Sequence, residues 1–186
     1  MERSPSYNLA LDQFVELWGE MASAWGITKT MAQIHALLYA ESHPLDTDTI
    51  MEKLDISRGN ANMNLRQLLG WKLIHKIQIK KNRKDFYEAE RNVWNIVSII
   101  INVRHQQEIL PIRTKLIECS ETLGREGLTD QESIDFSERI QNYIEFLEMF
   151  ERFTAALLPY INKNNVGFIK QLVKLVEVKK FLSGKR

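Results

Sequence analysis

Apolar side chains recur at helical spacing from residue 7 to residue 25, at Leu11, Phe14, Val15, Trp18, Met21, Ala22 and Trp25. A single stripe of this kind predicts a helix that buries one face. Gly26 ends it, and Thr28 is placed to cap a second helix over 29–42. The inner face of that helix is Met31, Ile34, Leu37 and Leu38, with Ala32 or His35 beside them. Pro44 closes it. Asp46 then caps a short helix over 47–54 that turns Ile50, Met51 and Leu54 inward. After the link Asp55-Ile56, Ser57 caps a further helix reaching about Trp71.

Two short helices joined by a brief turn, the second capped by serine, form a helix-turn-helix pattern. The period then changes. In "LIHKIQIK", residues 73–80, Lys76, Gln78 and Lys80 alternate with His75, Ile77 and Ile79, which is the period of a strand. Residues 81–84 make a polar, basic turn, and "DFYEA", residues 85–89, returns as a second strand. A helix-turn-helix followed by a β-hairpin describes a winged helix. From Asn92 onward the pattern is helical again. An apolar helix starts at Val93 and runs towards Leu123, with Pro111 expected to kink or break it. Thr129 and Glu132 fit a capping box that opens a long helix to about Leu158. Its line of apolar residues is Ile140, Ile144, Leu147, Phe150, Phe153 and Leu157, and Pro159 is expected to stop it. A last helix is predicted over 165–182.

The expected fold is mostly α with a small β-hairpin: a winged helix-turn-helix over residues 1–91 and a helical dimerisation region over 92–186. Helix 7–25 is free in this scheme to pack on the dimerisation part. The C-terminal helices carry more apolar surface than a domain of about 65 residues can cover, and a homodimer is the economical way to bury it.

Charge sharpens the picture. The whole chain carries a formal +1, yet residues 57–84 hold eight basic residues and no acid. The rest of the chain has 17 basic and 24 acidic residues. A near-neutral protein with so concentrated a positive segment presents one face to a polyanion. Within that segment the helix starting at Ser57 has Asn60, Asn62 and Asn64 in its first two turns. Asparagine is a mediocre helix former, so three of them suggest a face in use rather than a solvated one.

Ala61, Leu65 and Leu68 share one side of this helix, with the stem of Lys72; the other side carries Gly59, Met63, Arg66 and Gly70, flanked by Asn60, Asn62 and Gln67. An amide offers donor and acceptor together and matches adenine's major-groove edge. Arginine grips guanine or a phosphate as a planar fork. Met63 suits a thymine methyl, and Gly59 lets backbone come close. The helix N-terminus, at Ser57 and Arg58, favours a phosphate. At the hairpin tip Lys81, Arg83 and Lys84 would reach the sugar–phosphate backbone or the minor groove beside the major-groove helix. The candidate DNA-binding residues are therefore Ser57, Arg58, Gly59, Asn60, Asn62, Met63, Arg66, Lys81, Arg83 and Lys84.

Residues from about 14 to 111 resemble the GbsR branch of the MarR-type transcriptional regulators. The resemblance is carried by "WGEMASAWGITKTMAQIHALLY", "SRGNANMNLRQLLGWKLI", "NRKDFYEAERNVW" and the looser "RHQQEILP". Ala61-Asn62 stand where that branch leads one to expect a β-branched residue and serine, which bears on the operator sequence and not on the fold. The resemblance implies a homodimeric, double-stranded-DNA-binding regulator, usually a repressor. It would bind a pseudo-palindromic operator and control osmoprotectant genes for choline or glycine betaine. It also implies a small-molecule effector of the quaternary ammonium type, such as choline. Such a cation needs an aromatic cage, for which Trp18, Trp25, Trp71 and Trp94 are available, although tryptophans at helical spacing are more often core.

The remaining chemistry is sparse. There is no P-loop, dinucleotide-binding glycine turn, HExxH or nucleophile elbow. His35, His43, His75 and His105 have no metal-ligand spacing with Cys119. No enzyme activity, cofactor or metal is expected. Cys119 reads as an inert core residue in a cytoplasmic protein, since one cysteine allows no internal disulfide. The densest apolar run, residues 93–103, is far shorter than the ~20 residues that span a bilayer, and no membrane partner is expected. The competing reading is a winged helix used for protein–protein contact without specific DNA binding.

Overall fold

The computed structural model describes residues 4–24, 26–80, 82–125, 127 and 130–162, with single positions at 167, 171 and 174. The chain divides into two units, Met1–Ile99 and Ile100–Arg186.

In the first unit, helix α1 (Pro5–Ala24) lies against α2 (Lys29–Ala40). Their contact is close at Gly19, where an added Cβ would come within 3.0 Å of side-chain carbons of Gln33 and Lys29. Glu16 ties the rim of this contact by accepting hydrogen bonds from Lys29 and Gln33. The α2 helix is the hub of the unit. Met31, Ala32, Ile34, His35, Ala36, Leu37 and Leu38 are all buried, so it is covered on more than the single inner face predicted for it. Thr28 caps it as expected, its hydroxyl accepting from the Met31 N–H at 3.3 Å.

Strand β1 (Leu45–Asp46), helix α3 (Thr47–Leu54) and helix α4 (Arg58–Trp71) follow. Asp46 and Ser57 are the N-caps of α3 and α4, and Asp55 and Lys72 end them in the left-handed conformation at φ 50° and 62°. Lys72 is thus beyond α4 and exposed, rather than laying its stem on the buried side. Ala61, Leu65 and Leu68 form that buried side. Strands β2 (Ile74–Gln78) and β3 (Asp85–Ala89) make the predicted hairpin, with Ile74 opposite Ala89 and Gln78 opposite Asp85. β1 adds a third antiparallel strand, in the order β1-β3-β2, through Leu45 opposite Tyr87 and Asp46 opposite Phe86. A two-residue strand has no readable period, which is why the sequence showed only a hairpin. Asn92 then opens α5 (Val93–Arg104), its side chain accepting from the Trp94 and Asn95 N–H groups.

In the second unit, α6 (Leu110–Gly124) packs against α7 (Gln131–Asn162). Pro111 does not break the chain's helical course. The turn before it, His105–Ile109, is a π turn in which the Leu110 N–H bonds the carbonyl of His105, five residues back. Widening the helix there accommodates a residue that lacks an N–H and crowds the preceding turn. The cap of α7 is Asp130, one residue after the predicted Thr129, which is outside the described residues. Asp130 accepts from the Ser133 N–H at 2.8 Å and from its hydroxyl at 2.7 Å.

Nor does Pro159 stop α7, which continues to Asn162. The proline forfeits the backbone bond to Ala155. The predicted apolar line of α7 divides in two. Ile140, Ile144 and Leu147 are buried, whereas Phe150 and Phe153 are exposed and fall in a second stripe with Tyr143 and Phe146. Cys119 is exposed, not a core residue. The predicted helix over 165–182 lies, apart from single positions, outside the described residues. No described helix is long and apolar enough to cross a membrane.

Candidate nucleic-acid interface

Helix α4 is fixed from beneath by more than its leucines. Asn64, one of the three asparagines that suggested an outward amide face, is 1% exposed. Its Oδ1 accepts from Thr28 at 3.1 Å, and its Nδ2 donates to the Asn60 carbonyl at 2.9 Å and to Asn60 Oδ1 at 2.7 Å. It is therefore an internal strut between the cap of α2 and the first turn of α4. Burial of an amide requires such partners, and Asn64 has them.

The outward residues are Gly59, Met63, Arg66 and Gln67, with Asn60 and Asn62 half-buried. Arg66 has no ion-pair partner among the described residues, and Met63 is 60% exposed. A Cβ added at Gly59 would meet nothing within 4 Å, so the fold itself does not require glycine there. Ser57 is the N-cap, its hydroxyl accepting from the Asn60 N–H at 3.3 Å. Asn60 Oδ1 is engaged by Asn64.

Arg58 and Lys84 are not bare cations. The segment is free of acids in sequence but not in space, because Asp46, the cap of α3, and Asp48, in its first turn, reach it. Arg58 donates to Asp48 Oδ1 at 2.5 Å. Lys84 Nζ lies 2.9 Å from Asp48 Oδ2 and 2.7 Å from Asp46 Oδ2. Asp46 also accepts from the Thr49 N–H and hydroxyl, each at 2.8 Å. The Lys84 ammonium, then the Thr49 N–H, draw the Asp46 carboxyl down to about 2. Asp48 is likewise held below the ordinary carboxylate value, by Lys84 first and then by Arg58. Across the hairpin, Lys76 pairs with Asp85 at 2.7 Å.

The four charges Asp46, Asp48, Arg58 and Lys84 border a cleft of about 260 Å³ between α3, α4 and the wing, with Asn62 and Tyr87 also lining it. At the tip, the Asn82 side chain accepts from the Lys84 N–H at 3.0 Å and orders the turn. Arg83 is exposed and free of ion pairs among the described residues, and Lys81 lies outside them. So Ser57, Arg58, Gly59, Asn60, Asn62, Met63 and Arg66 share one helix and its cap, with Lys84 joined to its first residue through Asp48. Asp46, Asp48, Asn64 and Thr28 were not read as part of the site. Asp46 had been legible only as a cap, and nothing in the periodicity signals that Asp48 reaches Arg58, ten residues on.

A helix-turn-helix of α3 and α4 with an antiparallel hairpin beside it defines a winged helix. The chain is similar to two Bacillus subtilis proteins. One is YvaV, named as a candidate HTH-type transcriptional regulator: 26% identity over 96 residues, covering 50% of this chain and 54% of that one. The other is the HTH-type transcriptional repressor OpcR: 20% identity over 162 residues, covering 84% of this chain and 86% of that one. The chain thus spans about half the length of YvaV. Among solved structures it shares its fold with one described as a transcriptional regulator, at a TM-score of 0.65 and 15% identity, covering 83% of this chain and 99% of that one. No family model matches the sequence.

Proposed function

We propose that the chain is a sequence-specific, double-stranded-DNA-binding transcriptional regulator. The observation that carries this reading is the outward face of α4: Arg66, free of ion pairs among the described residues, Asn62, Met63 and an unfilled Gly59, beside a basic hairpin. Amides and arginine read base edges in the major groove, while the wing grips backbone. A surface made for protein contact would be apolar here, yet Met63 is the one large exposed apolar side chain on this helix. The names of YvaV and OpcR favour the same class.

The finer reading is a homodimeric repressor of the GbsR kind. Two copies would read half-sites one helical turn apart, about 10 base pairs. The exposed stripe Tyr143, Phe146, Phe150 and Phe153 on α7 supports dimerisation through the C-terminal helices. Control of osmoprotectant genes and a quaternary ammonium effector follow from the family resemblance. No pocket is assigned to that effector. Phe14, Trp18, His35 and Tyr39 form a ring cluster whose neighbouring planes meet at 28–37°, with Trp18 stacked on His35, so the rings pack on one another rather than walling a box. Selection of bound duplexes from a random pool tests the reading: recovery of an inverted repeat supports it, and recovery of no preferred sequence counts against it.

A further inference from the structure

We propose that Asp48 is a specificity-determining counter-charge: it holds Arg58 and Lys84 to the protein, so that random duplex does not engage the cluster and only a duplex docked in register displaces the carboxylate. The inference rests on the DNA-binding reading above and extends it to a residue on α3, outside the reading helix and the wing.

One carboxylate bridges two elements. Asp48 Oδ1 takes Arg58, the first residue of α4, and Oδ2 takes Lys84, the last residue of the hairpin turn. The bridge is exposed: the side chains of Asp48, Arg58 and Lys84 are 47%, 63% and 53% accessible. Ion pairs so open to water contribute little to stability, and their geometry is available to any competing anion. Asp46 is different. Its side chain is 12% accessible and Oδ1 is committed to the cap of α3, so it stays with Lys84 while Asp48 can be displaced.

The cluster as a whole holds two carboxylates and two cations and is neutral. Arg58 also stands at the N-terminus of α4, where phosphate is favoured by free N–H groups. A phosphate arriving there must displace Asp48. A loosely held, out-of-register duplex offers no geometry that replaces both of the carboxylate's contacts at once. Asp48 therefore suppresses the sequence-independent component of binding, a form of selection by disfavouring wrong partners.

The test uses the full chain and fluorescence anisotropy on a random-sequence duplex over a KCl series. Asp48→Asn leaves the cluster with one uncompensated positive charge. Its affinity for random duplex is expected to rise three- to tenfold at fixed salt. Its log–log salt slope should steepen by about 0.9, the value for one added phosphate contact. Asp48→Glu keeps the charge and should behave as wild type. The double variant Asp48→Asn with Arg58→Gln is neutral again and should return to the wild-type slope. A residue that merely held the wing in place would give the opposite, so weaker or unchanged binding of Asp48→Asn with an unchanged slope overturns the proposal. If the wild type itself binds no duplex even in dilute salt, the DNA-binding reading fails and this inference with it.

Discussion

The hydroxyl of Thr28 serves two helices: it accepts the Met31 N–H that starts α2, and it donates its own proton to Asn64 Oδ1 in the middle of α4. The position of the candidate reading helix is thereby set by a hydrogen bond as well as by packing.

Breaking that link should be costly. Asn64→Ala removes three hydrogen bonds at a buried site and is expected to destabilise the first unit by about 2–3 kcal/mol. Thr28→Val loses a cap and a partner, for about 1–2 kcal/mol. Urea denaturation measures both. The double variant should lose less than the sum, because the two changes share one bond.

The reading face should behave in the reverse manner. Arg66→Ala and Asn62→Ala touch little of the core, so their urea midpoints should stay close to wild type. Each should weaken operator binding by about 1–3 kcal/mol in a shift assay. Unchanged affinity in both would remove α4 as the reader.

At the wing, Arg83→Ala is expected to weaken all duplexes alike and to flatten the salt slope by about 0.9. An effect confined to one operator variant would contradict a backbone role.

Acid should loosen the α1–α2 contact through His35. This side chain is 3% exposed, its Nε2 has no hydrogen-bond partner among the described residues, and burial pulls its pKa from 6.5 to about 4. Between those values the unfolded chain binds a proton that the native state does not. Stability is therefore complete above pH 6.5 and falls as pH drops towards 4. The expected loss at pH 5 is about 2 kcal/mol. His35→Phe should abolish this part of the pH dependence, read as the difference in urea midpoint between pH 7.5 and pH 5. Asp46 titrates lower still: its contribution is present above about 4 and is lost only as pH falls towards 2.

The second stripe of α7 gives a prediction about assembly. Tyr143, Phe146, Phe150 and Phe153 recur at alternating steps of three and four, the spacing of a helix–helix seam. The wild type should sediment as a dimer at micromolar concentration, and Phe146→Glu with Phe153→Glu as a single chain. A wild type that sediments as a single chain would refute the dimer.

Much of this was legible from period and caps. Thr28, Asp46 and Ser57 marked three helix starts because each hydroxyl or carboxylate sits where free N–H groups need an acceptor. The hairpin followed from strict alternation. What escaped has a common cause. The split of the α7 face, the burial of Asn64 and the pairing of Arg58 all depend on which element lies opposite, and a one-dimensional pattern does not contain that. Pro111 and Pro159 interrupt less than expected for a different reason: a proline limits one turn, and at Pro111 a π turn takes up that limit.

The ladder of the hairpin ends at the Gln78–Asp85 pairing, and Lys84 beside it is tied to Asp46. The described residues beyond, Ile79, Lys80, Asn82 and Arg83, lie in the turn outside that clasp. The tip can accordingly be treated as an exchangeable part. Shorter, longer or differently charged tips grafted onto the same trunk would alter how tightly a duplex is gripped while leaving the helices that choose it undisturbed.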